Sequence, residues 1–311
     1  MLDVSNKIIE KYMVRKSFKQ KSDFLSFLEV ELKSRGYNCY VDNKKYLANN
    51  RNLVVGDVDE AETLCIAHYD TCATMPIPNF ITPNNPFVSL LYQLLIVSLI
   101  IGTGRLVSEP VFILTNNEFW SMLVAYIVTT GLLFMMMFGF ANKNNYNDNT
   151  SGIITLLETM SKLDEDGRKK VAFVFMDNEE KGLLGSMAFY SKHHKNIKGK
   201  LVINFDCVSD GDNIYVLFNS ESKKDGVLMN KFEQAFVVGE EKKLVSSTKG
   251  FYPSDQISFV GHRTITIAAL QNSRIFGFYI DKLHTKRDIV FDESNIELIS
   301  DSIIRYVNSK I

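Results

Sequence analysis

The apolar run TLCIA, residues 63–67, ends in His68, Tyr69 and Asp70. A buried strand has no structural need for an imidazole and a carboxylate at its tip. Four other places repeat the pattern. Asp148 lies in the turn-rich NYNDNTSG, Glu179 and Glu180 follow VAFVFMDN, Asp206 closes LVINF, and His284 stands in YIDKLHTKRD. Carboxylates that converge repel one another unless something positive neutralises them. Two imidazoles with several carboxylates suit zinc or a similar divalent ion.

These residues need elements that bring them together. TLCIAH, KKVAFVFM, KLVINFD, NIYVLF and TITIAAL have the continuous apolar character of strands buried on both faces. Amphipathic segments alternate with them: TSGIITLLETMSKL, EKGLLGSMAFYSKHH, residues 225–238 and SNIELISDSIIRYVNSK. Alternating strands and helices predict a three-layer α/β sandwich around a mostly parallel mixed sheet. In such sheets, sites form beyond the carboxyl ends of the strands. Residues 5–35 are predicted mostly helical, with Ser22 or Asp23 as a cap and Gly36 as the stop. Short strands are expected around 38–41 and 52–56, and SDGDN, with Asp210 and Asp212, as a hairpin turn.

One region breaks this pattern. No charged residue occurs from Thr71 to Gly104, and FWSMLVAYIVTTGLLFMMMFGFA, residues 119–141, has none either. Between them lie only Arg105, Glu109 and Glu118. About 20 apolar residues cross a bilayer core. Residues 86–142 are therefore expected to form an inserted two-helix transmembrane hairpin between the two parts of one α/β domain, 1–85 and 143–311. A buried pair of core helices, or an apolar hairpin through which copies of the chain associate, is the alternative.

The motifs HYDT, DNTSG, DNEEKGLLGS, NFD and LHT, in that order, resemble the metal-site motifs of the di-zinc aminopeptidases, the metallopeptidase family that also contains glutamate carboxypeptidase and glutaminyl cyclase. The resemblance covers about residues 20–85 and 143–310. It implies two zinc ions, or other divalent cations such as Co2+ or Mn2+. Asp148 would bridge them, His68 and Asp206 would complete one, and Glu180 and His284 the other. Glu179 would be the general base. Asp70, on the same side of the strand as His68, would orient that imidazole. The implied activity is release of N-terminal residues from peptides. Alternatives on the same scaffold are a glutaminyl-cyclase-like transferase, a carboxypeptidase and a non-catalytic binding protein; the complete ligand set argues against the one-zinc cyclases. YPSDQISF departs from the family, with Gln256 where a histidine is usual beside the substrate pocket, which bears on substrate preference.

Composition sets the remaining bounds. A net charge of −1 over 311 residues, without a basic stripe, gives no reason to expect nucleic acid. Cys39, Cys65, Cys72 and Cys207 have no disulfide-framework spacing and are expected as reduced thiols, with Cys72 and Cys207 as packing residues. His193, His194 and His262 are expected to be structural or at the surface. The start is polar, without a secretory apolar core. The basic residues lie almost wholly in the globular part, which is expected on the cytoplasmic side of the cell membrane. An even number of crossings returns the chain to one side, so His68 and Asp148 can share a site although some 80 residues separate them.

Overall fold

The computed structural model describes residues 3–309. Its elements in chain order are α1 (Asp3–Lys11), α2 (Phe18–Ser34), β1 (Cys39–Tyr46), β2 (Ala48–Val55), β3 (Thr63–His68), β4 (Asn79–Ile81), α3 (Pro86–Thr115), α4 (Glu118–Phe138), α5 (Gly152–Lys162), α6 (Glu165–Lys170), β5 (Val171–Met176), α7 (Leu184–His193), β6 (Leu201–Phe205), β7 (Asn213–Phe218), α8 (Gly226–Ala235), β8 (Lys243–Ser247), β9 (Arg263–Ser273), β10 (Gly277–Leu283) and α9 (Glu293–Asn308).

The sheet is mixed. Strands β5, β3, β6 and β9 run parallel at its centre; β1 and β2 extend it antiparallel on one side, and β7, antiparallel to β9, extends it with β8 on the other. The far end of β9 leaves this sheet to pair with β10, which pairs with β4. Side-chain alternation builds two cores. Cys65, Ala67, Phe173, Phe175, Ile203 and Phe205 face the layer of α1, α2, α5, α8 and α9. Leu64, Ile66, Val174, Met176 and Val202 face α7 through Phe189 and the following Ile197. These layers match the predicted three-layer sandwich. Because the central strands are parallel, the ends of β3, β5 and β6 emerge at one rim.

Local differences have physical causes. The chain breaks between α1 and α2 where Arg15 turns into the interior. Ser17 caps α2 in a reciprocal box with Gln20, so Ser22 and Asp23 are not the cap. Gly36, at φ +80°, follows the helix end as expected. SDGDN is no hairpin turn: β6 and β7 do not pair but flank β9, and Asp210 is buried, accepting from Lys282 at 2.7 Å. Strands β8 and β10 carry too many polar and half-exposed positions to show as apolar runs.

Helices α3 and α4 form an antiparallel hairpin joined by Asn116 and Asn117. Each cap side chain accepts from its helix: Asn85 from Val88 N–H and Asn117 from Phe119 N–H. Their only buried residues are Gly104, Ser108 and Ser121. A Cβ on Gly104 would lie 2.3 Å from Thr129 Oγ1, so glycine permits this close helix approach. Arg105 and Glu109 lie within α3, not in the loop between the helices.

Candidate active site

Each site residue sits where an element ends. His68 is the last residue of β3, on the face of Leu64 and Ile66. Asp148 occupies an irregular turn before α5. Asp288 holds this turn by accepting from the N–H groups of Asn147 and Asp148 at 2.9 and 3.0 Å. Asn149 donates to the Phe205 carbonyl at 2.9 Å and accepts from Gly152 N–H at 3.0 Å. A Cβ on Gly152 would lie 2.4 Å from Asn149 Oδ1; glycine is what lets the turn close on β6. Beyond β5, Asn178 turns left-handed at φ +51°, which asparagine tolerates. Beneath that turn, Lys21 Nζ donates to Asp177 at 2.5 Å and to Asn178 at 2.7 Å, all buried.

The seven predicted residues meet at the sheet rim. Asp148 lies between the two imidazoles: Oδ1 is 3.2 Å from His68 Nε2 and Oδ2 is 3.2 Å from His284 Nε2. Asp206 Oδ1 stands 3.9 Å from His68 Nε2, and Glu180 Oε2 stands 3.3 Å from His284 Nε2. His68, Asp148 and Asp206 offer ligand atoms within 4.8 Å of one another, and so do Asp148, Glu180 and His284. Asp148 belongs to both groups. Glu179 and Glu180 form a third such group with His68. The Asp70 carboxylate accepts from the Glu179 and Glu180 N–H groups at 3.0 and 3.3 Å. His68 Nδ1 lies 3.1 Å from the Asp70 carbonyl oxygen and 3.7 Å from its carboxylate.

Burial and crowding set the electrostatics. Burial raises the Glu179 and Glu180 carboxyls well above the usual range, and Asp206 also rises. Burial acts the same way on Asp148, but hydrogen bonds from His284 and His68 outweigh it and hold the carboxyl below the ordinary value. Burial opposes the charged form of His68, but Glu179 and the neighbouring aspartates leave its pKa raised. A buried oxygen, Glu180 Oε1, has no hydrogen-bond partner. Three ligand-type carboxylates, two imidazoles and an orphaned acceptor fit divalent cations.

Residues 139–307 match peptidase family M28, more than half of the chain. The chain belongs to peptidase family M28. No curated protein matches it. Among solved structures, it is similar to Porphyromonas gingivalis glutaminyl cyclase, at 17% identity and a TM-score of 0.64, covering 99% of this chain and 98% of that one. A Zn-dependent exopeptidase from Parabacteroides distasonis is similar at 15% identity and a TM-score of 0.60, over 99% and 96% of the two chains. The LapA aminopeptidase of Legionella pneumophila gives 13% and 0.57, over 97% and 68%. At these identities the likeness is one of fold. Membership of this peptidase family, together with a donor set that fits zinc, supports a zinc metallopeptidase.

Around this M28 site stand residues that sequence reasoning misses. Arg15, fully buried, donates from Nε to the Tyr69 carbonyl at 2.5 Å and from an η nitrogen to Thr150 Oγ1 at 3.0 Å. It ties the segment after β3 to the Asp148 turn. Asp255 is fully buried and pushed up to about 7 by that burial; its charge adds to the rise of Glu179. Gln256, which the sequence does single out, accepts from Asn204 at 2.8 Å and donates to the Tyr252 carbonyl at 2.5 Å. Cys72 joins Asp148, Glu180 and His284 within 4.8 Å, contrary to its expected role in packing alone. No periodic pattern signals any of these.

Proposed function

We propose that the chain is a membrane-anchored aminopeptidase in which Glu179 is the general base. The observation that carries this reading is Asp148, 3.2 Å from both His68 and His284. His68, Asp206 and Asp148 would hold one divalent cation, and Glu180, His284 and Asp148 a second. When bound, two such ions polarise a scissile carbonyl and lower the pKa of the attacking water to about 7. Glu179, held through its backbone by Asp70, takes a proton from that water and hands it to the departing amine. Asp70, whose carbonyl oxygen lies 3.1 Å from His68 Nδ1, keeps that imidazole oriented. Arg15 holds the Asp148 turn against the end of β3.

The hairpin supports anchoring. Its helices have 30 and 21 residues, and only 6% and 11% of their most apolar windows are buried. Helix α3, about 45 Å long at 1.5 Å per residue, exceeds a hydrocarbon core of about 30 Å. Arg105 and Glu109, in the second half of α3, with Trp120 and Tyr126 on α4 across from them, suit the far interface. Lys16 donates to the Met137 carbonyl at 2.7 Å and Lys143 follows α4, which favours the cytoplasmic side for the catalytic domain. A cavity of about 320 Å3, lined by Met75, Ile77, Tyr92, Ile96, Met135 and Phe140 among others, lies between the hairpin and the segment after β3. Met75 N–H in that segment donates to the His284 carbonyl at 2.7 Å. This supports apolar peptides, met at the bilayer surface, as substrates.

Metal analysis of the purified protein, with a panel of aminoacyl fluorogenic substrates and an N-terminal glutamine peptide, tests the reading. Two cations per chain and hydrolysis of unblocked substrates are expected. Glu179→Gln keeps the cations and loses about 10²–10⁴-fold in turnover. One cation per chain with cyclisation of the glutamine peptide would instead establish the transferase, and full activity in Glu179→Gln would refute the assignment of the base.

A further inference from the structure

We infer that Cys72 is a thiolate ligand of the second cation position, alongside Asp148, Glu180 and His284. This rests on the reading that the site holds cations. The Cys72 Sγ and one ligand atom from each of the other three lie within 4.8 Å of one another. With bonds of about 2.3 Å to sulfur and about 2.0–2.2 Å to nitrogen and oxygen, these four donors would leave the attacking water a fifth position at a cation expanded to five ligands. The Cys72 side chain is 1% exposed. Its thiol donates to Asn145 Oδ1 at 3.4 Å. In the same group the Glu180 side chain is 7% exposed, and its Oε1 has no hydrogen-bond partner. The group thus contains one buried acceptor without a partner, and Cys72 would exchange its hydrogen bond to Asn145 for the cation.

The backbone holds the sulfur there. Asn142 N–H donates to the Cys72 carbonyl at 3.1 Å, Ala73 bridges to Ala141, and Met75 N–H donates to the carbonyl of His284. The segment that carries Cys72 is thus fastened both to the chain leaving the hairpin and to the loop that supplies His284. As the sulfur–cation bond forms, the thiol proton leaves to solvent. The consequence is selectivity. A soft sulfur ligand favours zinc or cobalt over magnesium or manganese at this position, whereas the position of His68 and Asp206 keeps only nitrogen and oxygen donors.

The full-length protein in detergent micelles, stripped and reloaded with Co2+, tests this by spectroscopy. Bound cobalt shows visible ligand-field absorption, and a sulfur ligand adds a near-ultraviolet thiolate-to-cobalt charge-transfer band. Wild type should show both. Cys72→Ser should lose the charge-transfer band, keep the visible absorption, and bind zinc at least about tenfold more weakly at one of its two positions, with manganese affinity little changed. Cys207→Ser should keep the band, since Cys207 donates to Asp206 Oδ1 at 3.0 Å and joins none of the ligand groups among the described residues. Visible absorption without a charge-transfer band in the wild type overturns the inference and leaves the cation site standing, whatever the variants do. Failure of cobalt to bind at all overturns both.

Discussion

Asp70 Oδ1 accepts the backbone N–H of Glu179 at 3.0 Å, and Oδ2 accepts that of Glu180 at 3.3 Å. The ends of β3 and β5 are thus locked together by one carboxylate, 3.7 Å from the Nδ1 of His68. Asp70 therefore positions a proposed ligand and the proposed base at once. Asp70→Ala should lower metal affinity and turnover together, each by about 10–100-fold. Asp70→Asn keeps one oxygen acceptor and should fall between. Equilibrium dialysis with zinc, alongside steady-state kinetics, measures both. A variant unchanged in both quantities would show that the backbone holds this turn unaided.

Arg15 makes a separate prediction, about stability. A guanidinium with no exposed surface is costly to bury, and here its donors are met by the Tyr12 and Tyr69 carbonyls and Thr150. Phe24 lies beneath it, 5.4 Å from the ring centroid. Arg15→Ala should lose about 3–5 kcal/mol, because it leaves three acceptors, two of them buried, unpaired and opens a cavity. Arg15→Lys keeps the charge but not the planar fork, and should recover only part of that loss. Denaturant unfolding of wild type and both variants decides it; a loss under about 1 kcal/mol in Arg15→Ala would mean that the site end of the sheet does not depend on this cation.

The reasons some features are legible in the sequence and others are not lie in how they are built. β3, β5, β6 and β7 are almost wholly apolar between their ends, Asn204 of β6 apart, because helices or loops cover both faces. The polar residues that follow three of them stand out for that reason. His284 is legible only by its order among the motifs: it sits at φ +62° in a loop, where no periodicity points. Arg15 is invisible because a buried cation looks like any surface arginine until its three acceptors fold around it. Cys72 reads as a packing residue because its sequence neighbours are apolar; the fastening of its segment to Ala141 and His284 is what brings the sulfur within reach of Asp148, Glu180 and His284. The charges of α3 mislead in the other direction. Arg105 and Glu109 suggest a loop, yet the helix continues through them and through Pro110 to Thr115.

Asp42 provides a pH test away from the site. Burial pushes its carboxyl up, but hydrogen bonds from His193 and Lys192 outweigh this and hold it below the usual aspartate value. A folded-state pKa below the unfolded value of about 3.9 stabilises the protein above that pH, and the stabilisation is lost as pH falls through the folded value. Asp42→Asn should therefore be less stable than wild type at pH 7, and the gap should narrow as pH drops below about 4. Urea midpoints at several pH values measure the gap. One that widens on acidification would contradict the sign of the shift.

The chain that re-enters from the hairpin is fastened to the segment after β3, and β4, just before the hairpin, pairs with β10. Thr74 N–H donates to the Phe140 carbonyl at 2.8 Å, and Asn142 N–H donates to that of Cys72 at 3.1 Å. The catalytic core therefore does not need α3 and α4 to hold those strands of chain together. Removing Pro86–Phe138 and joining the ends by a flexible Gly/Ser linker should give a protein that stays in the soluble fraction and still binds zinc. The full-length chain should sediment with membranes and be released only by detergent. Turnover of short, polar aminoacyl substrates should persist in the shortened variant. Turnover of apolar peptides presented on vesicles should fall further, because the cavity between Met75 and Met135 is dismantled and the site no longer sits at the bilayer. Full-length protein recovered wholly in the soluble fraction without detergent would reject the anchor, and the two helices would then need a covering partner, a second copy of the hairpin being the simplest.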